Sequence, residues 1–184
     1  MATSPDDPER ARRFREAALP YLDDVYTLAR YLLRNPADAD DAVQECYLRA
    51  LKHFDTYRGP QMKPWLFAIL RNVCHAEFAR RAGAPLKALD DAPEAADQPP
   101  LWQDSAETPE GAMLREREAS AIQRMIDTLA EPFRETLVLR EINNLSYREI
   151  AEAAGVPVGT VMSRLARARA LLRTAWLAQE ELKP

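Results

Sequence analysis

Apolar residues recur at intervals of three and four along most of this 184-residue chain, and one long stretch breaks the rhythm. That spacing aligns side chains on one face of a helix, and nowhere is there the alternation of a strand, so the fold expected is all-α in two helical blocks. In the first block Val43, Tyr47, Ala50 and Phe54 share a face, while Asp41, Gln44, Glu45 and Leu48 share the opposite one. Asn35, Pro36 and Asp38 ahead of them read as N-cap, first-turn proline and an acid at the positive end of the helix dipole. Upstream, Leu22, Val25, Tyr26, Leu28, Ala29 and Leu32 or Leu33 form a second amphipathic helix, ended by the Asn35-Pro36 step. Downstream, Trp65 to Arg81 forms a third, with Leu66, Ile69, Leu70 and Val73 as its stripe. Three such helices make a small bundle.

From Ala82 to Glu110 the sequence is AGAPLKALDDAPEAADQPPLWQDSAETPE, with five prolines and seven acids against one lysine. A segment of this kind buries too little apolar surface to offset the entropy of ordering, and it is expected to be a linker. Leu101 and Trp102 are its exceptions and are candidates for docking elsewhere. The domain boundaries expected are 14–82 for the first unit, 83–112 for the acidic Pro/Ala-rich linker and 113–178 for the second unit. Units of roughly 70 residues are marginal on their own.

The second unit contains LSYREIAEAAGVPVGTVMSRLARARALL. Ser146 with Glu149 three residues on is a capping box. Gly155 stands where a helix-ending residue of positive φ is wanted, and Val156-Pro157 turns the chain. Val161, Leu165, Ala168 and Leu172 then form a buried stripe, which leaves Thr160, Ser163, Arg164 and Arg167 opposite it, with Arg169 and Arg173 flanking. This is the grammar of a helix-turn-helix whose second helix enters a major groove: arginine forks read guanine edges, and hydroxyls and further arginines hold phosphates.

Charge is distributed to match. The chain has a formal net charge of -4, yet residues 158–174 carry four arginines and no acid. The average hides a basic patch. Residues 16–51 hold seven acids against three arginines, whereas 52–82 hold six basic residues against two acids. Phe54, Tyr57, Trp65 and Phe67 are interleaved with the basic ones, the mixture that receives unstacked bases and backbone phosphates, although Trp65 and Phe67 also suit an ordinary core.

Several function classes are excluded or disfavoured. The longest purely apolar run, Trp65 to Leu70, is far short of a bilayer span. The N-terminal MATSPDDPERARRF has no charged-then-apolar leader, and a cytoplasmic location is expected. Cys46 and Cys74 are too few for a disulfide scaffold, and with His53 and His75 they show no metal-ligand spacing. No nucleophile or phosphate-loop motif occurs. No catalytic residue, metal or cofactor is therefore expected, and the chain is not read as an enzyme.

The order of motifs, DADDAVQECYLRALKHFDTYRG, then KPWLFAILRNVCHAEFARR, then an acidic linker, then LAEPFRETLVLREINNLSYREIAEAAGVPVGTVMSRLARARALLR, resembles that of the extracytoplasmic function (ECF) sigma factors of bacterial RNA polymerase. The resemblance covers about residues 14–82 and 113–175. It implies a region 2-like bundle and a region 4-like helix-turn-helix domain. It implies that Asp40, Asp41, Gln44, Glu45 and Arg49 dock the polymerase beta-prime clamp helices, with the beta flap as a further contact. Phe54, Tyr57, Arg58, Lys63, Trp65, Arg71 and Asn72 would handle the minus-10 element, by capture of a flipped base and strand opening. Thr160, Ser163, Arg164, Arg167 and Arg169 would read the minus-35 element. The partners implied are core RNA polymerase, promoter DNA and an anti-sigma factor, without a small-molecule substrate or membrane insertion. The function expected is a promoter-specificity subunit serving a dedicated set of stress- or signal-responsive promoters. The alternative is a helix-turn-helix regulator that binds duplex DNA without polymerase, for which Asp41 and Glu45 would be dispensable.

Overall fold

A computed structural model describes residues 8–82 and 121–181, with side chains through 178. The expected linker, with Leu101 and Trp102, and the expected start of the second unit at 113 lie outside the described residues.

Among its described residues the first unit has four α-helices, one more than periodicity predicted: α1 (Pro8–Ala18), α2 (Leu22–Leu33), α3 (Pro36–His53) and α4 (Met62–Ala82). The α1 helix begins ahead of the expected boundary at 14. Few of its residues are apolar, and it is held by Phe14, Ala18 and, unusually, a buried arginine. Arg10 Nη2 donates to the carbonyls of Leu51 (2.6 Å) and Lys52 (3.1 Å), and its Nε pairs with Asp55 at 2.6 Å. The guanidinium thus satisfies carbonyls that the end of α3 leaves open.

The α3 start is built as the sequence indicates. Asn35 is extended, and its Oδ1 accepts from the amides of Ala37 (2.9 Å) and Asp38 (3.3 Å), with Pro36 in the first turn. Ala39, Val43, Cys46 and Ala50 are buried, with Tyr47 and Phe54 packed against them. The α4 stripe is wider than predicted: Phe67 and Cys74 join Leu66, Leu70 and Val73 inside, and Ile69 is only partly covered. The cause is packing on more than one side, since α4 touches α1, α2 and α3 and also the second unit. Burying each large apolar side chain here contributes roughly 1.5–3 kcal/mol.

The second unit comprises α5 (121–128), α6 (Glu131–Leu137), a π-helical turn (Val138–Ile142), α7 (Tyr147–Ala154) and α8 (Val158–Glu181). In the π turn the Asn143 amide reaches back to Val138 O at 3.0 Å. Asn144 then takes a left-handed φ of 57°, which frees the chain to begin α7. The Ser146–Glu149 capping box is fully formed, and Gly155 ends α7 at φ 66°.

The two units do not stand apart. Helix α4 packs along α7, α2 meets α6, and buried residues of both units form one continuous core cluster. Among the described residues no helix is long and apolar enough to cross a membrane.

Candidate nucleic-acid interface and docking surfaces

The outer face of α3 presents Asp40, Asp41 and Gln44 to solvent, with Leu48 59% exposed among them. Glu45 is half-buried and accepts from Arg49 Nε at 2.6 Å, one turn away. A groove of about 300 Å³ runs between this face and α4, lined among others by Asp38, Asp41, Glu45, Glu77 and Arg80. Hydrogen bonds from Arg80 and Arg81 hold the Glu77 carboxyl down at about 2. Arg81 also pairs with Asp38 at 2.7 Å. An exposed leucine beside free carboxylates is what a protein partner with a basic surface would meet.

The loop after α3 has a different character. The Tyr57 and Trp65 rings lie 4.7 Å apart at 34°. Gly59 lets the loop fold over that pair, because a Cβ there would come within 2.7 Å of Tyr57 Cε2. Arg58 is exposed, its Nη1 donating to the carbonyls of Asp55 (2.5 Å) and Tyr57 (2.9 Å). Lys63 pairs with Asp24 at 2.8 Å and lies 5.7 Å over the Phe67 ring. Asn72 is exposed. Phe54 packs edge-on against Phe14, their centroids 5.4 Å apart, which makes it part of the α1 contact. A cleft of about 730 Å³ separates the loop from α7, with Tyr57, Arg58 and Trp65 on one wall and Arg148 and Glu152 on the other.

On α8 two of the five expected minus-35 residues lie inside the fold. Thr160 and Ser163 are half-buried near the start of the helix, with Ser163 Oγ donating to Thr160 O at 3.0 Å, and Arg167 and Arg173 are exposed. Arg164, expected opposite the buried stripe, and Arg169, expected to flank it, are both buried. Arg169 Nη2 pairs with Glu141 at 2.7 Å, both side chains 6% exposed. Burial alone would lower the guanidinium pKa, but the hydrogen bonds and charges of Glu141 and then Tyr147 outweigh it and raise it. The reason is geometric. Helix α8 is covered by α6 and α7 on neighbouring sides, so the inward sector is broader than the Val161–Leu165–Ala168–Leu172 stripe.

Arg71, assigned by resemblance to strand opening, turns toward the second unit and pairs with Glu135 at 2.8 Å. One turn along α4, His75 Nε2 meets Glu131 at 2.8 Å. Burial raises the Glu135 pKa, against the pull of Arg71. Burial also tends to raise that of Glu131, but the hydrogen bond and charge of His75, with Arg71 and Arg134, leave it lowered. Sequence reasoning missed this cluster, because nothing in spacing links position 75 to positions 131 and 135. It also missed Arg10, whose one signal was its place in an otherwise polar helix. Cys46 and Cys74 are both buried, and burial pushes each thiol up to about 12.

An acidic α3 face, a tilted aromatic pair amid basic residues and a helix-turn-helix are carried on two packed helical units, and family comparison assigns that arrangement to a transcription protein of the sigma class. Sigma-70 region 2 matches residues 18–83, and Sigma-70, region 4 matches residues 119–172. The chain is 32% identical over 164 residues to the RNA polymerase sigma-H factor of Pseudomonas aeruginosa, covering 86% of this chain and 83% of that protein. It is 35% identical over 134 residues to the ECF RNA polymerase sigma-E factor of Escherichia coli, covering 72% and 70%. With the ECF RNA polymerase sigma factor SigE of Mycolicibacterium smegmatis it shares 35% identity over 153 residues, 83% of this chain but only 57% of that relative's length. The chain belongs to the ECF sigma factors of RNA polymerase. In fold it is similar to the sigma factor RpoE of Bartonella quintana, solved with the anti-sigma factor NepR (TM-score 0.66, 24% identity, 89% of this chain and 96% of that one). It is likewise similar to CnrH, solved with the cytosolic domain of CnrY (TM-score 0.62, 24% identity, 91% and 90%).

Proposed function

We propose that this sigma factor binds core RNA polymerase through Asp40, Asp41, Gln44, Glu45 and Arg49 on α3, and directs initiation at a dedicated set of signal-responsive promoters. Tyr57, Arg58, Lys63, Trp65 and Asn72 engage the minus-10 element, where extruding a base costs a few kcal/mol that stacking and phosphate contacts must offset. Arg71 joins them once its partner Glu135 has moved away, and Phe54 positions the loop. Thr160, Ser163 and Arg167 read the minus-35 element from the exposed side of α8, while Arg164 and Arg169 fix the helix from behind. The first unit, through Ala82, carries polymerase docking and minus-10 recognition, and the helix-turn-helix unit carries minus-35 recognition. The chain itself performs no catalytic step; it acts in the cytoplasm beside the polymerase, and an anti-sigma factor holds it inactive.

One observation carries this reading: the acidic face of α3 and the close, tilted Tyr57–Trp65 pair lie in the same small unit, a combination that a duplex-binding regulator does not need. The test is in vitro transcription with purified core polymerase on fragmented genomic DNA, with and without the protein. New start sites preceded by two elements at a fixed spacing are expected. Duplex binding without any core-dependent initiation would favour the polymerase-independent regulator instead.

A further inference from the structure

The seam between α4 and α6 gathers a donor set that DNA recognition does not use. His75, Glu131 and Glu135 each offer one ligand atom, and these atoms lie within 4.8 Å of one another. Glu131 and Glu135 are four residues apart on α6, so their carboxylates project from one side of the helix, and His75 faces them from α4. The innermost member is the informative one. Glu135 is 1% exposed, and neither of its oxygens accepts a hydrogen bond. Arg71 Nε is within 2.8 Å of Oε1 but outside hydrogen-bonding geometry, which leaves Oε2 without a donor. A carboxylate sealed from water in that state is costly unless something else meets it.

We propose that His75, Glu131 and Glu135 form a binding site for a divalent first-row transition-metal ion that bridges the two units. One imidazole nitrogen and two carboxylates are a donor set of the zinc type, with a fourth position left to water. Tetrahedral bonds of about 2.0–2.2 Å place ligand atoms roughly 3.4 Å apart. The His75–Glu131 contact at 2.8 Å must open slightly and Glu135 must close in, a change within the reach of side-chain rotation. The ion takes the place of the proton between His75 Nε2 and Glu131. Arg71 then becomes an outer partner, neutralising and orienting the Glu135 carboxylate as supporting groups do around ligating carboxylates. The positive charge of Arg164 also acts on Glu135 and adds to that support. Because α4 carries the residues proposed for strand opening and α6 packs on the proposed minus-35 helix, an ion here would tie the two units together. The binding claim itself stands whether or not those DNA assignments hold.

The test uses the full chain, stripped of metal with a chelator and then titrated with Co2+ or Zn2+. One equivalent is expected to bind, with d–d bands of a nitrogen- and oxygen-ligated centre for cobalt. His75→Ala and Glu131→Gln should each weaken binding by at least about tenfold, whereas Arg167→Ala should leave it unchanged. X-ray absorption of the zinc-loaded wild-type protein needs no variant and should show one imidazole with oxygen neighbours. Absence of stoichiometric binding would mean that the three residues form a proton-sharing ion cluster only. A sulfur shell, or affinity equal to wild type in folded His75→Ala, would likewise overturn the site.

Discussion

Arg71 Nε stands 2.8 Å from Oε1 of Glu135, joining a partly exposed arginine of the first unit to a sealed carboxylate of the second. The same arginine is one we propose for strand opening, so on that reading pairing with Glu135 and contacting DNA compete for one guanidinium. Arg71→Ala strands the carboxylate, and breaking a fully buried pair costs about 3–5 kcal/mol. Arg164 remains nearby and Arg71 is itself partly exposed, so the loss expected is smaller, about 1–2 kcal/mol. Thermal unfolding in the presence of a chelator measures it, and small-angle scattering reports whether the units separate. Arg71→Ala/Glu135→Gln should recover part of the loss. A single variant as stable and compact as wild type would show that the pair does not hold the seam.

Charge reversal at Asp41 and Glu45 tests the α3 face. Asp41 is exposed and Glu45 partners Arg49 across one helical turn. Such pairs contribute little to folding, so the double reversal should leave the unfolding midpoint nearly unchanged. Affinity for core polymerase should fall by tenfold or more, because like charges set against a basic partner cost several kcal/mol. Undiminished core binding would move the docking surface elsewhere.

Much of this architecture could be read in the residues. Asn35-Pro36 and Ser146-x-x-Glu149 mark helix starts by their own chemistry, and Gly155 marks an end, because each solves a local problem of unpaired backbone groups. Where the answer depended on distant partners, spacing was silent. Arg10 is buried because the carbonyls at the end of α3 need donors, and Arg164 and Arg169 face inward because α6 and α7 flank α8 broadly. A charged residue on an amphipathic pattern defaults to solvent in any sequence reading. Burial with a remote partner is visible only once the elements are packed.

That difference separates the arginines of α8. Arg167→Ala should cost roughly 1–3 kcal/mol on a cognate upstream element if the side chain reads a base, with the unfolding midpoint unchanged because Arg167 is exposed. Arg169→Ala should act the other way, leaving Glu141 buried without its partner and destabilising the second unit by about 3 kcal/mol. Binding titrations on matched and scrambled duplexes, alongside thermal melts, distinguish the two. Equal loss on every duplex for Arg167→Ala would reassign that residue to phosphate.

The cysteines offer a test that depends on pH. Cys46 Sγ donates to Leu66 O at 3.5 Å, and burial pushes both its thiol and that of Cys74 up to about 12. Reaction with a disulfide reagent proceeds through the thiolate. With a pKa of about 12 the thiolate fraction at pH 8 is on the order of one in ten thousand, against roughly a quarter for an ordinary exposed cysteine. Native protein should therefore react thousands of times more slowly than the denatured chain at pH 8. The native rate should climb about tenfold per pH unit, without levelling off below pH 10, for as long as the fold persists. Fast labelling of Cys46 at pH 7 would place it in a different environment. A thiol beside the docking face would then be available to oxidants, and polymerase binding should become sensitive to them.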